Sequence, residues 1–126
     1  MGVEGVGVGI EEAFEQAALA ITAIVTDPDR VRPERAVEVS CEASDAELLL
    51  VDWLNTVIFE MATRRMLFRR FQVTITGHRL RAMLWGESVS RSRHRPAVEV
   101  KGATYTELEV KHQKDGRWRA RCVVDV

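Results

Sequence analysis

Apolar residues recur every three or four positions from Ile10 to Val25, through Ala13, Phe14, Ala17, Ala18, Ile21 and Ile24. That spacing predicts an amphipathic helix. Asp27-Pro28-Asp29 ends it, because proline lacks an amide hydrogen and turns the residue before it away from helical angles. Beyond this turn Val37, Val39, Cys41 and Ala43 alternate with Glu38, Ser40 and Glu42, the two-residue period of a strand with one buried face. Ser44-Asp45-Ala46-Glu47 has the spacing of a capping box and opens a second predicted helix, from about Asp45 to Arg65. Leu49, Leu50, Trp53, Leu54, Val57, Ile58 and Met61 form its apolar face.

The period returns to two from Leu67 onward. Phe71, Val73 and Ile75 alternate with polar residues, Gly77-His78 makes a tight turn, and Leu80, Ala82 and Leu84 continue the alternation, which predicts a hairpin. Ser88 to Pro96 reads as a polar basic loop, followed by a strand in which Val98 and Val100 alternate with Glu99 and Lys101. A last hairpin pairs Thr104–His112 with Arg117–Val126 around Lys114-Asp115-Gly116, where glycine permits positive φ. Trp118, Ala120, Cys122, Val124 and Val126 share one face of its second strand. This order of elements predicts an α+β fold in two layers, with two main helices packed on a mostly antiparallel β-sheet.

Composition agrees with a folded chain. Of the 126 residues, 46% are hydrophobic and 29% charged, which suits one globular domain spanning 1–126 and argues against a long disordered segment. No run approaches the roughly 18 uninterrupted apolar residues of a membrane span. With no basic patch leading into an apolar run at the N-terminus, the expected location is the cytoplasm. The net charge of −1 conceals a gradient: residues 1–63 carry 13 acids against 3 arginines, and residues 64–126 carry 15 Lys/Arg against 6 acids. Such asymmetry fits either a nucleic-acid or acidic-protein partner for the second half or two parts of one domain attracting each other.

Candidate chemistry is sparse. Gly2, Gly5, Gly7 and Gly9 follow no strand and match no dinucleotide or phosphate-loop fingerprint, so they read as a flexible or strand-like leader. His78, His94 and His112 have no paired ligand at metal-binding spacing and are expected at the surface. Cys41 and Cys122 sit among apolar neighbours and read as small buried thiols. A Ser/His/Asp triad is not excluded by sequence, but no G-x-S-x-G elbow is present. Basic residues cluster at Arg64-Arg65, Arg69-Arg70 and Arg91-Ser92-Arg93-His94-Arg95, where they could meet phosphates or simply be solvated. Asp125, one residue from the terminus, could join Val126 in offering hard oxygen ligands of the kind that suit Ca²⁺ or Mg²⁺; a solvated terminus is the other reading.

Glu12-Ala13-Phe14-Glu15-x-Ala17-Ala18, Leu50-Val51-Asp52-Trp53-Leu54-Asn55, Trp85-Gly86-Glu87, Arg93-His94, Val100-Lys101-x-Ala103-Thr104-Tyr105, then Leu108, Val110, Trp118 and Asp125 resemble, in order and spacing, the archease family. The resemblance covers nearly the whole chain. It implies a protein cofactor, not itself an enzyme, that activates the RtcB-type tRNA-splicing ligase by helping it form its guanylylated histidine with GTP and sustain turnover. GTP is used by the partner ligase. The family also implies a divalent ion held by an N-terminal aspartate, the penultimate C-terminal aspartate and the final residue; Asp125 and Val126 match the last two. Met1-Gly2-Val3-Glu4 supplies no aspartate where the first is due, through a late start, a truncation or a lost site. Weak or absent Ca²⁺ or Mg²⁺ binding is therefore expected of the chain as given. Lys101, Arg93, His94 and Glu87 match family positions and are expected to contact a partner or nucleotide. A direct RNA-binding module and a chaperone-like partner of RNA-modifying enzymes, methyltransferases included, are the competing readings.

Overall fold

The computed structural model describes residues 1–126, which form an α+β fold. In chain order the elements are β1 (Gly2–Gly7), α1 (Ile10–Val25), β2 (Arg35–Glu42), α2 (Ala46–Arg64), β3 (Met66–Thr76), β4 (Arg79–Ser88), the short α3 (Arg91–His94), β5 (Gly102–Ala103), β6 (Glu109–His112) and β7 (Trp118–Asp125), with a single 3-10 turn at Pro28–Arg30.

The strands are antiparallel but fall into two sheets where one was expected. In one, β7 is central, with β1 on one edge and β5 and β6 sharing the other; in the second, β4 lies between β2 and β3. The sheets stay separate because β3 spends its outer amides on a helix. Glu15 accepts Val73 N–H at 2.7 Å and Glu11 accepts Ile75 N–H at 3.5 Å, which closes that edge to further pairing. Burial pushes the Glu15 carboxyl above its ordinary range, opposed by the Val73 amide.

Both main helices match their periodicity. The inward residues of α1 and α2 join those of both sheets in one apolar cluster that includes Phe14, Ile21, Trp53, Phe68, Leu84 and Cys122. Trp53 packs edge-on to Phe71 with centroids 6.1 Å apart, and its indole donates to Phe14 O at 2.9 Å, tying α2 to α1. The glycine-rich leader has a packing cause. A Cβ on Gly5 would stand 2.0 Å from Ala13 O and 2.3 Å from Ala17 N, so only glycine lets α1 lie against β1.

Five local expectations change. The α2 cap is Asp45, whose Oδ1 accepts Leu48 N–H at 2.8 Å; Ser44 makes no cap, and Glu47 reaches Val110 N–H instead. In β3 the register against β4 shifts between Phe68 and Arg70, so Met66, Leu67 and Phe68 are buried in succession and strict alternation begins only beyond this bulge. The basic loop contains α3, and its His94 is buried. Residues 98–101 form no strand. Proline 96 withholds an amide, and β7 offers a free edge there only at its end, where Lys101 N–H meets Asp125 O at 2.8 Å and β5 begins. Likewise 104–108 turns, with Glu107 at φ 51°, before pairing resumes in β6.

Candidate functional site at the strand ends

The end of β7 gathers four parts of the chain. Its Val124 exchanges hydrogen bonds with Met1: Val124 N–H donates to Met1 O at 2.7 Å, and the Met1 ammonium donates to Val124 O at 3.0 Å. On the opposite edge Lys101 N–H binds Asp125 O, and Gly102 and Ala103 pair with Asp125 and Val124. Thr104 donates through both its amide and its hydroxyl to Val123 O, each at 2.9 Å. Asn55 comes from α2, where its Oδ1 accepts Ala103 N–H at 2.8 Å. The backbone is thus fixed on both sides while the Lys101, Asp125 and Val126 side chains stay exposed. A fixed backbone under free charged groups is suited to presenting them to a partner.

Asn55 was not singled out as a site residue by its sequence position. Asn55 is exposed and flanked by Asp52 and Thr56, so its one sequence signal is its place in the Leu50–Asn55 block of the family resemblance.

Asp125 and Val126 offer two hard-oxygen groups. No set of three His, Cys, Asp or Glu side chains converges there or elsewhere, and Met1, just before β1, brings an ammonium that donates to Val124 O. Six to eight oxygens surround a bound Ca²⁺ and an octahedron surrounds Mg²⁺. The residues present do not make up such a cage.

Glu87, Arg93 and His94 come together elsewhere, as a closed cluster. Glu87 Oε2 accepts Arg32 N–H at 2.8 Å and the His94 Nε2 contact at 2.9 Å, and Oε1 accepts Arg93 Nη2 at 2.8 Å, with Arg93 Nη1 completing a bidentate pair. His94 Nδ1 accepts Ser90 N–H at 2.8 Å. That bond needs the Nδ1 lone pair, so the ring hydrogen sits on Nε2 and is donated to Glu87. The expected surface position of His94 is therefore corrected: it is 2% exposed and Glu87 6%. Three donors converging on one carboxylate, Arg93 foremost, hold Glu87 down at about 2 from an ordinary 4.5. Thr26 Oγ donates to His94 O and Ala97 N–H to Val25 O, fastening the 88–101 segment to the end of α1. Only Arg93 of this trio keeps appreciable exposure, 34% of its side chain.

His78 and His112 are exposed as expected, the latter stacked on Trp118 at 4.8 Å. Cys122 is buried and Cys41 half-buried, both as free thiols. Burial pushes Cys41 up to about 11, so neither cysteine has the lowered thiol pKa of a nucleophile. The charge gradient along the chain is partly internal: Arg69 meets Asp29, Arg79 meets Glu42, Arg81 meets Glu38 and Arg119 meets Glu4.

Fold and site define a small α+β protein whose distinctive exposed groups lie at the end of a central strand and whose thiols and histidines form no nucleophilic or metal-binding set. Residues 1–126 match the Archease protein family (MTH1598/TM1083). Protein archease of Pyrococcus abyssi is 33% identical over 130 residues, covering all of this chain and 92% of the relative. That of Methanopyrus kandleri is 38% identical over 120 residues, covering 92% and 85%. Among solved structures, the solution structure of Methanobacterium thermoautotrophicum protein 1598 superposes with a TM-score of 0.83 at 30% identity, over 99% of this chain and 91% of the other. The crystal structure of a Thermotoga maritima archease, described as a possible chaperone, shares the fold at a TM-score of 0.64 and 17% identity, over 100% and 90%. The chain belongs to the archease family. None of these descriptions names an enzyme activity, and no helix is long and apolar enough to cross a membrane.

Proposed function

We propose that the chain is a non-catalytic protein cofactor of an RtcB-type RNA ligase, acting in tRNA splicing or RNA repair by promoting the ligase's GTP-dependent guanylylation and its multiple turnover. Family membership supports this reading, and one observation carries it at the level of residues: Lys101 and Asp125, far apart in sequence, are joined at the end of β7 with their side chains free. A lysine beside a carboxylate at the tip of a rigid sheet can engage phosphate and cationic groups of a partner at once. Glu87 and His94 serve the proposal indirectly, by fixing the segment that leads to Lys101, while Arg93 retains a face for contact.

The test is joining of RNA ends by the purified ligase from the same source, with GTP and divalent metal, with and without the chain. A rise in turnover number is expected; no change in joining or guanylylation would leave the family's fold without this activity. The register from Gly2↔Val123 onward places the position before Met1 opposite Asp125. An N-terminally extended form, taken from upstream coding sequence, belongs in the same assay, since it could complete the ion site. For the chain as given we propose weak or absent divalent binding. Titration calorimetry with Ca²⁺ and Mg²⁺ should show no tight stoichiometric uptake, and finding it would contradict this.

The Thermotoga maritima structure is described as a possible chaperone, and a chaperone-like role, which we would place on RNA-modifying enzymes, is the second reading. Protection of such an enzyme from aggregation with ligation unchanged would select it. Direct RNA binding draws on the basic second half alone, and several of those arginines already face first-half carboxylates.

A further inference from the structure

An apolar cleft of about 190 Å³ opens between the C-terminal end of α2, the start of β3 and the 88–101 segment. Ile58, Met61 and Met66 line its α2 and β3 side, Val89, Pro96 and Val98 its other wall, and nine of its eleven lining residues are hydrophobic. Val89 and Val98 remain 38% and 39% exposed, although the segment carrying them is fastened by the buried Glu87 cluster. The cleft runs into a second concavity that shares Val89, Pro96 and Val98 and adds Arg91 and Arg95. Arg65, whose carbonyl accepts Val89 N–H at 2.9 Å, lies next to it in the chain path.

The cations beside this cleft are not taken up by neighbouring carboxylates. Arg64 pairs with Glu60 and Arg93 with Glu87, whereas Arg65, Arg91 and Arg95 near them in the chain form no ion pair. The nearby acids are Glu99 on the cleft wall and Asp27 in the depression beyond Arg95, and neither forms an ion pair. Two cations without carboxylate partners, Arg91 and Arg95, therefore adjoin an apolar slot with one carboxylate on its wall. Methionines at the slot adapt to differently shaped side chains. No aromatic ring lines it, so it has no platform on which a base could stack.

The geometry points to a docking site for an acidic amphipathic protein segment, which places a large aliphatic side chain in the cleft and directs carboxylates toward Arg91 and Arg95. Helix-in-groove recognition works in this way, with apolar anchors giving affinity and flanking charges giving orientation. The inference rests on the cleft and its charges and is independent of the ligase reading.

The probe is a fluorescein-labelled synthetic peptide with leucines at helical spacing and glutamates between them. Its anisotropy is followed on the full chain beside three controls: a lysine-for-glutamate peptide, a serine-for-leucine peptide and a labelled single-stranded RNA. Only the acidic leucine peptide is expected to bind. Val98→Glu and the double variant Arg91→Glu/Arg95→Glu should each weaken it about tenfold or more, while Lys114→Glu, at the β6–β7 turn, should leave it unchanged. Circular dichroism checks that each variant is folded; if Val98→Glu is not, the arginine variant, altered only at exposed side chains, decides. Absence of binding, equal binding of the lysine peptide, or an equal effect of Lys114→Glu would overturn the proposal. So would RNA binding that depends on Arg91 and Arg95 in place of peptide binding, which would make the surface a nucleic-acid one.

Discussion

Glu87 collects donors from three places, the Arg32 amide, the Arg93 guanidinium and the His94 ring, and all three lose their acceptor if it is removed. Glu87→Ala should cost about 2 kcal/mol in urea unfolding at neutral pH, the penalty for buried donors left unpaired. Acid gives a separate check on the same carboxylate. Its folded-state value of about 2 lies below the ordinary 4.5, so between these the unfolded chain binds more protons. Its contribution is complete above about pH 4.5 and drains away as the pH falls toward 2. The stability gap between the native protein and Glu87→Ala should therefore narrow over that window; a gap that stays constant would mean that the carboxylate is not the acceptor described. The sequence marks Glu87, Arg93 and His94 only as family positions and Arg91–Arg95 as a basic cluster that meets phosphates or solvent; their pairing with one another was not legible, because nothing local marks a histidine whose partner is a carboxylate seven residues away on another element.

At the scale of elements, sequence and structure agree wherever one residue's neighbours decide the outcome. Both main helices, the Gly77-His78 hairpin and the inward parity of β7 follow from apolar spacing, and each emerged within a residue or two of its expected bounds. The failures lie where a distant edge or a competing side chain decides. Ser44 and Asp45 both suit an N-cap, and only geometry selects Asp45. Asp45→Ala should cost about 1 kcal/mol and Ser44→Ala much less; comparing their thermal midpoints checks the assignment, and the reverse order would restore the capping box. Valines 98 and 100 have strand alternation but no free strand edge to pair with. Gly5 illustrates a further limit, since a repeated glycine in sequence does not reveal which helix it must admit. Gly5→Ala should destabilise by on the order of 3 kcal/mol, because the atoms in its way are α1 backbone. Gly2→Ala, facing open space, should be nearly neutral, and similar unfolding midpoints for the two would refute the close approach.

For the whole molecule, the two sheets and the helices between them serve to bring the chain's beginning, its end and the 101–104 segment to one place. The order of family motifs was legible along the sequence, and Asp125 and Lys101 could be named from it as candidate site residues. Their juxtaposition was not, because it depends on β5 reaching only the last residues of β7. Asn55 completes that arrangement by holding β5 to α2, a link between segments 48 residues apart. In the proposed role this rigid strand end, presented to an RNA ligase, promotes the ligase's reaction with GTP. The most direct measurement is transfer of labelled GMP from GTP to the purified ligase, with the chain present at less than one equivalent. Faster and more complete labelling of the ligase is expected, lost in Lys101→Ala though that variant remains folded. Unchanged labelling with the folded native chain, extended N-terminally or not, would contradict it.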